Sequence, residues 1–368
     1  MGKLIGAKVF NTAKCEFEEK SFSFSDIILS DCGDDAENIE GCYIIPGLID
    51  MHTHGRCGHD IMASSVKELE ELSIDYAKTG VTTVFPTVMT APLENIHNAC
   101  ANIKAANAKG ARFVGIHVEG PYISEKKNGA HDIPYIRKPS EAELSDIIDR
   151  ISPLKTHFTI SPETCPDGLI EKLSKKCTIG IGHTDTDEDG AKSAVDKGAK
   201  IFTHTFNAMT PMSHRAPGVV GAALTCDAYA EFICDGFHIN KTVIAIAYRA
   251  KGGDKFVLIT DSLPPAGLPD GAYEMNGIKF NLVEGRAQKE NGTIVGSTVT
   301  MLDAVKNLSE FADIPFEEAL ICATKNPAEA VGLYGECGSL DEGKRADFVI
   351  LDSEKNIKSV YIGGERII

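Results

Sequence analysis

From residue 44 onward, short runs of apolar and β-branched residues alternate with segments of helical periodicity. Such runs predict buried strands, and the amphipathic segments between them predict helices. There are eight runs, namely YIIPGLID, TTVFPTV, RFVGIHVEG, HFTISPE, CTIGIGHT, IFTHTFN, EFICDG and KFVLITD. An open doubly wound sheet would normally carry a Gly-rich phosphate turn after its first strand, and none is present there. The pattern therefore predicts an α/β protein whose parallel strands close into a (β/α)8 TIM-type barrel.

Four segments have the apolar spacing of helices, and they span residues 65–79, 140–150, 297–311 and 315–332. The first is closed by Gly80, a residue typical of helix ends. The second opens with the capping-box pattern Ser140-x-x-Glu143. These signals place helices both between the predicted strands and after the last of them.

The two ends of the chain have strand character. Residues 3–11 and 21–31 alternate apolar with polar positions, and the tail ADFVILDSEKNIKSVYIGGERII returns to this pattern. The stretch AYEMNGIKFNLVEGRAQKENGTIVG, after the eighth run, is typical of β-hairpins. We expect residues 1–44 and 335–368 to build one small β-domain beside a catalytic barrel of residues 45–334.

Composition and charge favour a protein of the cell interior. The net charge is -16 and the pI is near 5.2, whereas nucleic acid and anionic membranes both require a basic face. The segment MGKLIGAKVFNTAK lacks the apolar region of a signal peptide, and no apolar run approaches the length of a membrane span. The 11 cysteines include no CxxC pair, which is typical of a reducing compartment. The prediction is a cytoplasmic protein that binds neither nucleic acid nor membrane.

Candidate metal ligands stand where the predicted strands end. The stretch IIPGLIDMHTHG places His52 and His54 one residue apart, so both rings face the same side of an extended strand. Later strand ends carry Glu119, His183, His204 and Asp261. Each residue alone is more often structural, but the carboxyl ends of barrel strands share one mouth, where active sites lie. Imidazoles together with a carboxylate suit Zn²⁺ or Fe²⁺ better than Mg²⁺.

A set of motifs gives the chain a family resemblance that runs essentially from end to end. The motifs are PGLIDMHTHG, GIHVEGPY followed by KKNGAH, GHTDT, THTFNAM, HRAPGVVG, DGFHI, TDSLPPAG and NGTIVGST, with the tail GSLDEGKRADFVILD. The chain resembles the N-acetylglucosamine-6-phosphate deacetylases of the amidohydrolase superfamily. The resemblance implies a metal-dependent hydrolase that cleaves the acetamide of N-acetylglucosamine 6-phosphate to glucosamine 6-phosphate and acetate, in amino-sugar catabolism or cell-wall recycling.

The resemblance also implies roles for individual residues. Glu119, His183 and His204 match the primary metal ligands. Asp261 matches the catalytic acid/base, and His131 matches the residue that polarises the acetamide carbonyl. The implied substrate-binding residues are Ala130, His131, Asn207, Ala208, Arg215, His238, Ile294, Val295 and Gly296. Among them, Arg215 and His238 match residues around the phosphate, one of which can come from a neighbouring subunit, and the last three line the acetyl pocket.

The H-x-H pair sets the expected metal content. Family members with Gln and Asn in place of His52 and His54 bind one metal, whereas members with H-x-H can hold a second ion. We therefore expect one tightly held Zn²⁺ or Fe²⁺ and a second, weaker site at this pair, in a homodimer that binds a phosphorylated amino sugar. Lys155 precedes the fourth predicted strand instead of ending it, which disfavours relatives that use a carbamylated Lys there to hydrolyse cyclic amides.

Two alternatives stay open. The first is deacetylation of N-acetylgalactosamine 6-phosphate, which differs in the orientation of one hydroxyl. The second is a non-catalytic scaffold on the amidohydrolase fold, although such proteins typically lose metal ligands. His214 and Cys57 lie next to candidate residues and receive no role.

Overall fold

The computed structural model describes residues 1–31, 35–275, 278–290, 292 and 294–368, and these residues include a barrel of parallel strands. Barrel strands 1 to 8 are Leu48–Thr53, Val81–Met89, Gly115–Glu119, Lys155–Ile160, Thr178–Ile181, Ile201–Phe202, Tyr229–Ile233 and Phe256–Ile259. Each pairs in parallel with the next. Beyond strand 8, the Asp261 N–H donates to His52 O at 2.9 Å and the His54 N–H donates to Ser262 O at 2.8 Å. The predicted (β/α)8 barrel is confirmed.

A helix follows each barrel strand in the described chain. These helices are Val66–Ala77, Leu93–Ala105, Glu141–Ile151, Leu169–Leu173, Glu188–Asp196, Gly218–Thr225, Lys241–Lys251 and Met301–Ala312, with 3-10 turns at Glu125–Lys127, Ile133–Tyr135 and Pro162–Thr164. The first and last correspond to the helices predicted at 65–79 and 297–311. Leu69 of the first helix, Val118 and Phe158 belong to one buried cluster of strand and helix side chains. Within the described residues, no helix is both long and apolar enough to cross a membrane.

The predicted capping box at Ser140 is only half formed. Ser140 Oγ accepts from the Glu143 N–H at 3.2 Å and caps the helix Glu141–Ile151. The Glu143 carboxylate turns away from the cap and accepts from Arg137 Nε at 2.8 Å and from the Tyr122 hydroxyl at 2.7 Å. A guanidinium is a stronger partner for a carboxylate than a backbone N–H, and the sequence spacing does not reveal it.

The single helix predicted at 315–332 is two short helices. They span Phe316–Ile321 and Lys325–Ala330. Pro327 explains the break, because it has no N–H to donate and its ring would clash with the carbonyl four residues earlier in a continuous helix. In the observed structure it stands in the first turn of the second helix, where a proline is tolerated.

The two ends of the chain pack together beside the barrel. A six-stranded sheet has the order Glu365–Arg366, Ile357–Ile362, Phe348–Leu351, Tyr43–Pro46, Lys8–Asn11 and Glu16–Glu19, and a four-stranded sheet has the order Ile28–Leu29, Phe22–Phe24, Gly2–Ile5 and Glu37–Asn38. The ring of Phe348 lies 5.0 Å from that of Phe22 and 4.9 Å from that of Phe24, so the N- and C-terminal segments share one core. The run YIIPGLID divides between this sheet and barrel strand 1. The predicted boundaries between the small β-domain and the barrel, at 44/45 and 334/335, stay a prediction.

A further sheet covers one side of the barrel mouth. It consists of the antiparallel strands Gly271–Met275, Ile278–Val283, Arg286–Gln288 and Ile294–Gly296, and it falls in the stretch that the sequence assigns to hairpins. Asn276, Gly277, Asn291 and Thr293 of that stretch lie outside the described residues. Shorter strands pair Gly55–Arg56 with His59–Asp60, and Arg112–Phe113 with barrel strand 2. The Ser297 N–H donates to Asp261 O at 3.0 Å, which fixes the end of the sheet against the mouth.

Candidate metal centre and substrate cavity

The polar residues predicted at strand ends converge at the C-terminal mouth of the barrel. Glu119 ends barrel strand 3, and His183, His204 and Asp261 each follow the end of strand 5, 6 or 8 by two residues. The φ angles of the last three are 47°, 28° and 47°, in the left-handed region. That conformation costs a non-glycine residue roughly 1–2 kcal/mol, and here it occurs where each strand turns into the loop that forms the mouth.

Glu119, His183 and His204 form the first group of potential metal ligands. Glu119 Oε1 lies 3.2 Å from His183 Nε2 and 3.0 Å from His204 Nε2, and the two imidazole nitrogens are 3.0 Å apart. His183 Nδ1 lies 2.7 Å from Lys127 O, to which it donates, so its Nε2 carries a lone pair. Burial, with the charge of His131, lowers the pKa of His183 to about 4. The neutral imidazole, which is the ligand form, is thus stable at neutral pH.

His52, His54 and the same Glu119 form the second group. Glu119 Oε2 lies 3.3 Å from His54 Nε2, and Oε1 lies 3.5 Å from His52 Nε2. Burial lowers the pKa of both histidines, but Glu119 and Asp261 outweigh it, so the pKa of His54 rises to about 9 and that of His52 lies well above its ordinary value. Because Glu119 has two oxygens and takes part in both groups, a pair of divalent cations fits this donor set.

Asp261 faces both groups. Its Oδ1 is 3.2 Å from His54 Nε2 and 3.6 Å from His52 Nε2. Burial raises the pKa of Asp261, but the charges of His52 and His54 dominate and hold it at about 2. The carboxylate is therefore ionised and in the form that accepts a proton.

The tautomer of His131 is determined by Thr90, which follows barrel strand 2. The backbone N–H of Thr90 donates to His131 Nδ1 at 3.4 Å, and the Thr90 hydroxyl lies 2.7 Å from the same nitrogen. Since Nδ1 accepts, the ring hydrogen is on Nε2, which lies 3.4 Å from Glu119 Oε2. His131 thus presents an N–H donor to the mouth.

A cavity of about 210 Å³ opens above these groups. Its lining includes His54, Glu119, His131, His183, His204 and Asp261, together with Ala130, Asn207, Ala208, His238, Ile294, Val295 and Gly296. Met89 and Leu263, which are not among the predicted site residues, also line it. His52 is fully buried beneath. All but one of the predicted substrate-binding residues therefore border one space, which is also lined by every candidate metal ligand except His52.

Arg215 is the exception. It lies with His214 in the exposed segment 211–216, outside the cavity lining. Within the described residues, the lining of the cavity includes neither Lys nor Arg. The lining residue that comes nearest to a cation for the phosphate is His238, whose Nδ1 lies 2.6 Å from Asp235 Oδ2. Burial lowers the pKa of His238, but the Asp235 carboxylate outweighs it and raises that pKa above its ordinary value. Cys57 is partly buried and does not line the cavity either.

Four residues that orient site groups were missed by sequence reasoning. They are Thr90, Lys127, Glu231 and Asp235. Glu231 and Asp235 had a detectable signal, because they are the charged residues of the run EFICDG, and Asp235 stands three residues before His238. Thr90 and Lys127 act through loops whose positions depend on the closed barrel.

A parallel barrel with imidazoles and carboxylates at its C-terminal mouth defines the class of metal-dependent hydrolases on this fold. The chain belongs to the amidohydrolase family, whose family model matches residues 43–367. It is 34% identical over 332 residues to the N-acetylglucosamine-6-phosphate deacetylase of Vibrio furnissii, covering 88% of this chain and 82% of that protein.

Two more comparisons bear on the substrate. The N-acetylgalactosamine-6-phosphate deacetylase of Escherichia coli O157:H7 is 33% identical over 330 residues, covering 88% of this chain and 87% of that protein. The structure of a variant N-acetyl-D-glucosamine-6-phosphate deacetylase of Mycobacterium smegmatis, in complex with N-acetyl-D-glucosamine-6-phosphate, superimposes with a TM-score of 0.91 at 27% identity, covering 100% of this chain and 99% of that one.

Proposed function

We propose that the chain hydrolyses the acetamide of N-acetylglucosamine 6-phosphate to glucosamine 6-phosphate and acetate. The observation that carries the proposal is the single cavity in which the metal-ligating groups, the Asp261 carboxylate and the predicted sugar-binding residues meet. The relatives that share most of the chain, and that act on 6-phosphorylated N-acetylhexosamines, support it.

Glu119, His183 and His204 would hold a tightly bound Zn²⁺ or Fe²⁺. Nitrogen and oxygen donors of this kind suit both ions. His52 and His54, together with Glu119, would hold a second ion more weakly, because a neighbouring dication would repel it. When bound, an ion in the first position polarises the scissile carbonyl and lowers the pKa of a coordinated water to about 7.

The protein groups move the protons of the reaction. Asp261, whose carboxylate faces both groups of candidate ligands, takes the proton of the attacking water and passes it to the leaving nitrogen. His131 donates its Nε2–H to the carbonyl oxygen, whose negative charge grows in the transition state. A well-placed donor of this kind contributes about 3–4 kcal/mol in other enzymes.

The remaining residues recognise the sugar. Asn207 and Ala208 contact the ring, and the strand Ile294–Gly296, whose Val295 is buried, lines the acetyl pocket. His238 contacts the phosphate from within the cavity. Arg215, exposed in its own chain, contacts the phosphate in the cavity of a neighbouring subunit, so the enzyme is a homodimer. Its location is the cytoplasm, which agrees with the unpaired cysteines of the described chain.

N-acetylgalactosamine 6-phosphate is the second candidate substrate. The Escherichia coli relative named for that substrate is about as similar to this chain as the Vibrio furnissii relative is, with 33% and 34% identity. The two sugars differ in one hydroxyl, so overall similarity does not separate them. A non-catalytic scaffold is disfavoured, because both metal-ligating groups are intact.

One experiment tests the proposal and ranks the substrates. Acetate release is measured for N-acetylglucosamine and N-acetylgalactosamine, each with and without the 6-phosphate, in Zn²⁺ or Fe²⁺ and after treatment with a chelator. We expect the highest kcat/KM for N-acetylglucosamine 6-phosphate and loss of turnover on chelation, restored by the metal. Absence of acetate release from every sugar in the metal-loaded protein would refute the proposal.

A further inference from the structure

Glu231 is a buried carboxylate that takes part in no step of the proposed hydrolysis. It lies on barrel strand 7, its side chain is fully buried, and its neighbours Ala230 and Phe232 point outward into the strand–helix core. Its Oε2 lies 3.3 Å from His52 Nδ1 and accepts from the backbone N–H of His204 at 3.1 Å. An ionised carboxylate is costly to bury unless it is paired and hydrogen-bonded. Among the described residues neither Lys nor Arg pairs with it, so its partners are two candidate metal ligands.

The contact decides which nitrogen of His52 carries a proton. A neutral imidazole has one N–H, and only the other nitrogen can bind a metal. With a carboxylate at Nδ1, the proton of the neutral ring stays there, and Nε2 is left to bind a metal. Nε2 lies 3.5 Å from Glu119 Oε1 and 3.6 Å from Asp261 Oδ1. A carboxylate in this position also fixes the ring orientation and makes the ligand nitrogen more basic.

The other ring of the H-x-H pair has no such support. His54 Nδ1 is buried and has no hydrogen-bond partner in the described chain. We propose that Glu231 is the positioning residue of the second metal position, because it holds His52 with its proton on Nδ1 and aims Nε2 at Glu119. Its hydrogen bond from the His204 N–H ties this ring to a ligand of the first group. The inference rests on the second metal position proposed above.

The test is a Zn²⁺ titration of the metal-free protein by calorimetry. Glu231→Leu removes the acceptor, and Glu231→Gln keeps the shape but replaces the carboxylate with a neutral amide. The matched control is Asp50→Asn, since Asp50 is equally buried and accepts from the backbone N–H of His52 at 3.4 Å, not from its ring. We expect Glu231→Leu to bind the first equivalent of Zn²⁺ with unchanged affinity and the second with about 10–100-fold lower affinity, as removal of an outer-shell partner does elsewhere. The affinity for the second equivalent falls less in Glu231→Gln and is unchanged in Asp50→Asn.

Two further measurements separate positioning from general support. In His52→Gln the second equivalent is lost, and adding Glu231→Leu then has no further effect, because Glu231 acts through that ring. Nitrogen-15 NMR of histidine-labelled protein with Zn²⁺ bound reports the His52 proton on Nδ1 in the wild type, but not uniquely in Glu231→Leu.

The outcomes distinguish this inference from the proposal on which it rests. An unchanged second equivalent in Glu231→Leu, or equal weakening of both equivalents, overturns the role of Glu231. If His52→Gln itself still binds two equivalents, the second metal position is wrong. If circular dichroism shows that Glu231→Leu does not fold, Glu231→Gln is judged by the same criteria.

Discussion

Single residues in the cavity owe their chemistry to their neighbours. Asp261 is the clearest case, since burial raises its pKa, whereas the charges of His52 and His54 outweigh burial and hold that pKa at about 2. Thr90 acts on His131, because its backbone N–H donates to Nδ1 and leaves the ring hydrogen on Nε2. The residue types alone are common, and these contacts supply the forms that the proposed reaction uses.

Replacement of Asp261 by Asn should abolish most turnover without loss of the first metal. The amide keeps the size of the side chain but cannot accept the proton, and general acid–base groups contribute about 10²–10⁴-fold to rate. Turnover of N-acetylglucosamine 6-phosphate and bound metal are measured on the same preparation. Near-native activity at neutral pH would show that another group moves the proton.

The charge of His238 should give phosphate binding a pH dependence. The folded pKa is raised by Asp235, so the positive form persists above pH 6.5 and is lost as pH rises through the folded pKa. The phosphate is already a dianion at pH 7 and above, since its second pKa is about 6. We expect KM for the phosphorylated sugar to increase with pH above 7, and KM for the unphosphorylated sugar to stay constant.

His238→Gln supplies the control, because a glutamine has no charge to lose. Its KM for the phosphorylated sugar should be higher than that of the wild type at pH 7 and flat with increasing pH. A wild-type slope that persists in this variant would assign the dependence to another group.

At the scale of elements, the exposed segment 211–216 carries Arg215, whose guanidinium has no counterpart in the described lining of the cavity. Ser213 stabilises its turn, because the Ser213 N–H donates to Ala216 O at 2.9 Å and the Ser213 hydroxyl accepts from the Ala216 N–H at 3.2 Å. Arg215 lies inside this turn and is exposed to solvent. The turn therefore presents a guanidinium to solvent, and the proposed contact with the substrate of a neighbouring subunit requires this exposure.

Arg215→Ala should raise KM for the phosphorylated sugar by at least tenfold and hardly change turnover of the unphosphorylated one. A guanidinium offers two parallel donors to a phosphate, and the described lining of the cavity contains no guanidinium of its own. His214→Ala, in the same turn, is the control and should match the wild type. Equal losses on both substrates would show that Arg215 supports the fold of the segment.

At the scale of the whole molecule, the barrel mouth gathers ionisable groups that most cores exclude. Glu119 and Asp261 come from strands on different sides of the barrel, and His52 lies beneath them without contact with solvent. Without a bound ion, protonated imidazoles balance the carboxylates. An ion that binds only the folded chain should therefore stabilise the whole barrel.

Removal of the metal should lower the free energy of unfolding by about 4 kcal/mol relative to protein in free metal at 1,000 times the dissociation constant. Thermal or denaturant unfolding is compared before chelation, after chelation and after Zn²⁺ is restored. In His183→Ala the unfolding transition should no longer respond to the metal. Identical transitions for the metal-free and metal-loaded wild type would argue against an ion bound by the folded barrel.

The barrel could be predicted from the sequence alone, and so could the candidate ligands at its mouth. A short apolar, β-branched run predicts a strand that is buried on both faces, and this signal needs no knowledge of the strand's partners. The placement of His52, Glu119 and His204 at strand ends follows from the same local pattern, because parallel strands in a closed barrel end at one mouth.

Which side chains contact one another depends on the tertiary structure. The helix break before Pro327 was readable from the sequence but was missed, whereas the pairing of Glu143 with Arg137 was not readable. Thr90 and Glu231 orient histidines that lie 41 and 179 residues away along the chain. Such contacts depend on the closure of the barrel and the paths of its loops, which place atoms within 3 to 4 Å, and local periodicity carries no information about separations of that size.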